Sequence, residues 1–386
     1  MKVLYDHQIF QEQRSGGISR YFSELIKHYS SDKDIEVSLS LLHTDNIHMQ
    51  DNPLFSAQKK QKNKTSFIST LFELLLPRRA RKKERVKNVK ENLNASITSL
   101  KKGDFDIFHP TYYNPYFLKY IGSKPFILTI HDMIHEKFPN LFPGNDKTSK
   151  QKKELAQKAT KIIAVSKNTK RDIMHLLGIP ENKIKVIYHG CSLTDTQNIT
   201  NNNPQMPNKY LLFVGSRCLY KNFVFFLQSI SSLLSTNEEL FLVCIGSGTF
   251  TAEETNTLKN LHIKNKVIQY FPKSDEELSY YYANALAFCF PSKYEGFGFP
   301  IIEAFANNCP VLASNTGSLP EIADRAALYF DPNDGKSILS AVKLILHDTS
   351  LRKKLINKGQ EKLNNFSWKN TAIETKQIYS SIVVQH

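Results

Sequence analysis

The chain has 386 residues, with 41% hydrophobic positions and 51 basic against 36 acidic side chains, a net charge of +15. That length exceeds one ordinary core and suits two domains, and no uninterrupted apolar run is long enough for a membrane span. The first six residues, M-K-V-L-Y-D, read as a strand rather than the start of a secretory signal, which places the protein in the cytoplasm. The five cysteines, at 191, 218, 244, 289 and 309, show neither a C-x-x-C nor a metal-ligand spacing and are expected as reduced core residues.

In chain order, Val3-Leu4-Tyr5 is a first strand, and a loop over 6–15 is closed by Gly16-Gly17 before a helix from about Ile18. Two glycines at a strand-to-helix turn let a ligand come close to the backbone. A strand over 35–42 follows, then a basic insertion over about 57–92 that encloses the apolar run F-I-S-T-L-F-E-L-L-L at 67–76. Basic flanks around a short apolar stretch suit an interfacial element on anionic lipid (59–90), with a solvated basic helix equally open. Nucleic-acid binding is not expected, since no zinc-finger, RNP-like or helix-turn-helix pattern accompanies the charge.

Asp104 and Asp106 form a D-x-D, but they precede a strand instead of ending it and are not read as a metal site. His109 ends that strand, as a cleft-lining residue or a satisfied core histidine. The next strand, 125–130, delivers His131-Asp132 to its carboxyl end, where open α/β sheets place ligand groups. A strand over 161–165 runs into Ser166, a natural N-cap. The Asn-rich stretch 198–208 is the expected linker.

Strand and helix alternate again from Tyr210. The first strand of this half ends in Gly215-Ser216-Arg217, with Lys221-Asn222 opening a helix; two fixed cations there can hold a pyrophosphate. A strand over 286–290 leads into P-S-K-Y-E-G-F-G-F-P-I-I-E, in which a glycine-bearing loop gives way to a helix at Pro300. The amides of Gly296, Phe297, Gly298 and Phe299 suit a phosphate. Glu295 and Glu303, which offer only acceptors when ionised, suit the hydroxyls of a diol. Phosphate-seeking amides beside diol-seeking carboxylates suggest a nucleotide-sugar.

Glu295 and Glu303, set in Y-E-G-F-G-F-P-I-I-E-A-F-A, resemble the E-x7-E signature of the retaining glycosyltransferases of family 4. Arg217 and Lys221 resemble the family's G-R-x-x-x-K-N segment, and Thr129-Ile130-His131-Asp132 its v-t-x-H-D. The resemblance covers nearly the whole chain and is densest from Tyr210 onward. It implies an α/β GT-B fold: a Rossmann-like acceptor-side domain over 1–197, a donor domain over 209–365, and a C-terminal helix over 366–386 crossing back to the first. It further implies Gly16-Gly17 lining the cleft, His131 facing the donor sugar with Asp132 beside it, and the base held near Phe271. No metal or other cofactor is implied.

The expected activity is transfer of a hexose, with a lean to mannose from a guanosine donor, onto a glycan or lipid-linked acceptor in surface-polysaccharide or lipopolysaccharide synthesis, peripherally at the inner face of the membrane. A nucleotide-sugar epimerase on the same scaffold, or a non-catalytic membrane- or nucleic-acid-binding protein, is the alternative.

Overall fold

The computed structural model describes residues 1–50, 52–56, 78–193 and 206–384. The apolar run 67–76 and most of the expected linker lie outside them. In the first half the strands are β1 (Lys2–Tyr5), β2 (Glu36–Leu39), β3 (Ile107–His109), β4 (Ile127–Ile130), β5 (Lys161–Ala164) and β6 (Ile184–Val186). They form two parallel three-stranded sheets, β2-β1-β3 and β4-β5-β6, joined by a bridge from Phe108 to Phe126. Leu4 lies beside Phe108, and Thr129 beside Ile163.

The second half holds β7 (Lys209–Val214), β8 (Leu240–Ile245), β9 (Val267–Tyr270), β10 (Ala287–Phe290), β11 (Val311–Ser314) and β12 (Ala327–Phe330), in the parallel order β12-β11-β10-β7-β8-β9. From its first strand the chain moves outward one way and then the other, the Rossmann order, so a crevice opens at the carboxyl ends of β7 and β10. Helices cover both faces, which is why β10 and β11 are buried at every position.

Local chemistry sets the helix ends. Ser166 caps the helix Lys167–Leu177 by accepting from the Thr169 amide, and Gly178 closes it at φ 69°. Thr251 and Glu254 form a reciprocal capping box. The helix Gly17–Tyr29 buries Tyr21, Phe22, Leu25 and Ile26, the face its spacing predicts.

Two expectations need correction. The segment 6–15 is not all loop: it holds a helix, Gln8–Glu12, whose Ile9 amide donates to Thr111 Oγ1 at 3.1 Å. A helix runs over Arg78–Lys102, past the expected end of the basic insertion, and is tied to the loop after β2 by Asn92, which accepts from the Leu42 and His43 amides. Cys218 is exposed, although Cys244, Cys289 and Cys309 are core residues.

The helix Trp368–Val383 crosses back to the first domain. Tyr379 shares a 2.7 Å hydrogen bond with Tyr5, Lys376 bonds Asp32 and Asp34, and Trp368 donates to Ser192 at 2.7 Å. Gly190 permits this: a Cβ there would lie 2.2 Å from the Trp368 nitrogen.

Candidate active site

The loop after β10 is held by its carbonyls. Ser318 Oγ donates to the carbonyls of Glu295 (2.9 Å) and Phe297 (2.8 Å), while Ser166 and Thr169 of the first domain donate to that of Gly296 at 2.6 and 3.0 Å. With the carbonyls so taken, the amides of Gly296, Phe297 and Gly298 have no protein acceptor among the described residues. Gly298 turns at φ 112°, a conformation that favours glycine, and the helix Phe299–Ala306 starts with Pro300 in its first turn. Amides free at a helix N-terminus suit an anion.

Glu295 is 8% exposed and its Oε1 lies 2.5 Å from Lys221 Nζ, which also sits over the rings of Tyr220 and Phe290. The sequence places these two residues on the same site, and the structure brings them into direct contact. Arg217, expected beside Lys221 as one of two fixed cations, is held within its own domain. Its guanidinium bonds Glu254 (Nε to Oε1, 2.7 Å), donates to the carbonyls of Gly246, Gly248 and Thr249, and stacks on Phe250. It braces the loops that end β7 and β8.

Across the crevice, His131 leaves β4 with its ring 5.7 Å from that of His189 in a stacked pair and edge-on to Tyr21. Both imidazole nitrogens are buried and unpartnered among the described residues. Burial lowers its pKa to about 3, with Lys152 adding to the effect and Asp132 opposing it, so the ring is neutral at physiological pH. The Glu295 loop reaches His131 only because Gly296 is a glycine: a Cβ there would stand 1.7 Å from the His131 carbonyl oxygen. Gly17 does the same for Phe299, whose ring would be 2.7 Å from its Cβ, and a Cβ on Gly16 would meet the Gln13 side chain. Phe299 also stacks on His189 at 4.7 Å, and Phe297 is buried behind it. Asp132 accepts from the Ile134 amide and lies 3.8 Å from Lys152.

Glu303 is half-buried and accepts from Tyr282 Oη at 3.0 Å. Burial raises its pKa, opposed by the Arg20 charge and the Tyr282 hydrogen bond. Arg20 comes from the first domain and bonds both carboxylate oxygens of Asp275 in the second, at 2.7 and 2.9 Å. Sequence reasoning missed Arg20 and Tyr282; neither belongs to a motif, and only the helix following Gly17 offered a signal for Arg20.

His109 does not line the crevice. It is fully buried, with Nδ1 bonded to Tyr379 at 2.6 Å and Nε2 to Thr129 at 2.9 Å, because the crossing helix covers the end of β3. The core reading of this residue is the correct one. Asp104 and Asp106 pair with Lys2 at the amino edge of β3, the end of the sheet opposite His131.

Two Rossmann-like domains facing across a crevice, with a helix returning from one to the other, define a GT-B glycosyltransferase. The structure superposes on a sucrose-phosphate synthase from Thermosynechococcus elongatus with a TM-score of 0.71 over 100% of this chain and 99% of that one, at 18% identity. It also superposes on Anabaena Alr3699/HepE in complex with UDP and glucose, with a TM-score of 0.68 over 99% and 100%, at 18% identity.

Residues 195–362 match the family described as "Glycosyl transferases group 1" and residues 15–195 that described as "Glycosyltransferase Family 4". The chain belongs to this glycosyltransferase family. Among its relatives are the O-antigen chain mannosyltransferase B of Escherichia coli, 28% identical over 98% of this chain and 99% of that protein, and the O-antigen chain mannosyltransferase RfbU of Salmonella typhimurium, 31% identical over 56% and 60%.

Proposed function

We propose that this glycosyltransferase moves a mannosyl residue, with retention of configuration, from a nucleoside-diphosphate sugar to a glycan or lipid-linked acceptor in surface-polysaccharide synthesis, at the cytoplasmic face of the membrane. The observation that carries the proposal is the Lys221–Glu295 pair, set beside loop amides and facing the ring nitrogens of a neutral His131, none of which has a partner among the described residues. The names of the two O-antigen mannosyltransferases support the choice of sugar and pathway class.

In this reading the diphosphate lies on the amides of Gly296 to Phe299 and draws Lys221 away from Glu295. That exchange matters chemically: it frees the Glu295 carboxylate to accept hydroxyls of the hexose, and it places a cation where charge grows as the sugar departs. Glu303 accepts from the ribose hydroxyls, with Tyr282 orienting it. His131, neutral, can donate from one nitrogen and accept at the other from the opposite face of the sugar. Arg217 contributes by fixing the loop ahead of Lys221.

The bond between the anomeric carbon and the phosphate oxygen breaks through an oxocarbenium-like state, the acceptor oxygen bonds to that carbon, and the acceptor proton passes to the leaving phosphate. No metal has a part in this scheme. GDP-mannose with a lipid-linked glycan acceptor tests it: GDP release should require acceptor, and chelator should leave the rate unchanged. Conversion of the donor without acceptor would instead indicate an epimerase.

A further inference from the structure

Three bonds from Glu321 cross between the domains. It lies in the short second-domain helix Leu319–Ala323, and its Oε1 accepts from the Lys167 amide at 2.7 Å and from Tyr188 Oη at 2.8 Å, while Oε2 accepts from the Asn168 amide at 2.9 Å. All three donors belong to the first domain. Ser166, the N-cap of the helix Lys167–Leu177, satisfies only the Thr169 amide. The first two amides of that helix would otherwise have no partner, and the carboxylate takes both, in the field of the helix's positive end. The same helix end also holds the carbonyl of Gly296 through Ser166 and Thr169.

We propose that Glu321 is a positioning residue whose docking on this helix end fixes the Glu295 loop against His131. A single helix N-terminus thus grips the second domain twice, once through the carboxylate and once through the carbonyl of the loop itself. Their spacing on one rigid turn sets how far the loop stands from the end of β4. Without the carboxylate, two amides must find water, and this helix end holds the loop only through the Ser166 and Thr169 hydroxyls.

The kinetic part of the test rests on the donor site proposed above; the docking part does not. In the full-length protein, Glu321→Ala should lower kcat on the order of tenfold, the effect expected of a small misplacement of reacting groups. The Kd for GDP-mannose should stay within about twofold, since the donor groups lie mainly in the second domain. Small-angle scattering should show a larger radius, and Glu321→Asp should recover part of the rate.

Unchanged kcat and radius would overturn the proposal, as would a Kd that weakens in step with kcat. Should Glu321→Ala fail to fold, Tyr188→Phe, which removes one of the three bonds, decides instead: a rate loss of about twofold to threefold at constant Kd supports docking, and wild-type behaviour overturns it. Wild-type protein that binds no GDP-mannose yet expands on the Glu321 substitution would remove the donor reading and leave docking in place.

Discussion

Lys221 and Arg217 are both cations four positions apart after β7, yet their surroundings give them different work. Lys221 meets Glu295 at the crevice, whereas the Arg217 side chain is only 4% exposed and is tied to Glu254. Glu295→Ala should therefore cut transfer by about a thousandfold, the scale for losing a group that stabilises the transition state, and leave the fold intact. Measured kcat close to wild type would remove Glu295 from the chemistry. Arg217→Ala should instead cost about 3 to 5 kcal/mol of stability by stranding a buried carboxylate, read as a fall in denaturation midpoint. At this scale the sequence was legible where one local motif carried the geometry, as in the placement of Glu295 beside Lys221 and of Gly296 against His131. It was silent where the partner came from far along the chain: Arg20 meets Asp275, and Arg217 is turned inward by Glu254.

Among the elements, the crossing helix Trp368–Val383 depends on the absence of a side chain at Gly190 and on a buried chain of hydrogen bonds from Tyr5 through Tyr379 and His109 to Thr129. Tyr379→Phe leaves His109 Nδ1 and Tyr5 without that partner and should cost about 1 to 3 kcal/mol, measured by urea unfolding. An unchanged midpoint would mean that the network adds nothing to the docking of this helix. The helix itself was readable from its F-S-W start. The burial of His109 was not, because it follows from where the helix lands, and no local pattern states that.

For the whole molecule, burial of histidines between and beneath the domains gives stability a pH dependence. His109 and His131 are each lowered from 6.5 to about 3, and His189 falls well below 6.5, in every case first by burial. The unfolded chain binds these protons below about 6.5 and the folded one does not. Stability is therefore full above that pH and falls by about 1.4 kcal/mol per unit per imidazole as pH drops toward 3. Melting temperature should decline clearly from pH 7.5 to 5.5, and a flat profile would contradict the burial of these rings.

The net charge of +15 acts at the same scale. The exposed Lys83, Arg85 and Lys87 of the helix Arg78–Lys102 should give binding to phosphatidylglycerol vesicles that weakens with salt; salt-independent binding would point to the apolar run alone. The alternation of strand and helix made the two-domain fold legible, since parallel strands buried on both faces read as short apolar runs. The short helix Gln8–Glu12 was not legible, because its first turn is satisfied by Thr111, which follows β3 and is distant in sequence.

In the proposed function Lys221 and the Glu295 loop form a diphosphate-sugar site, and calorimetric titration of GDP-mannose into the wild-type protein and into Lys221→Ala tests it. Loss of one charge-assisted contact to the diphosphate predicts affinity weaker by about tenfold to a hundredfold. Equal affinity in the two proteins would place the donor elsewhere.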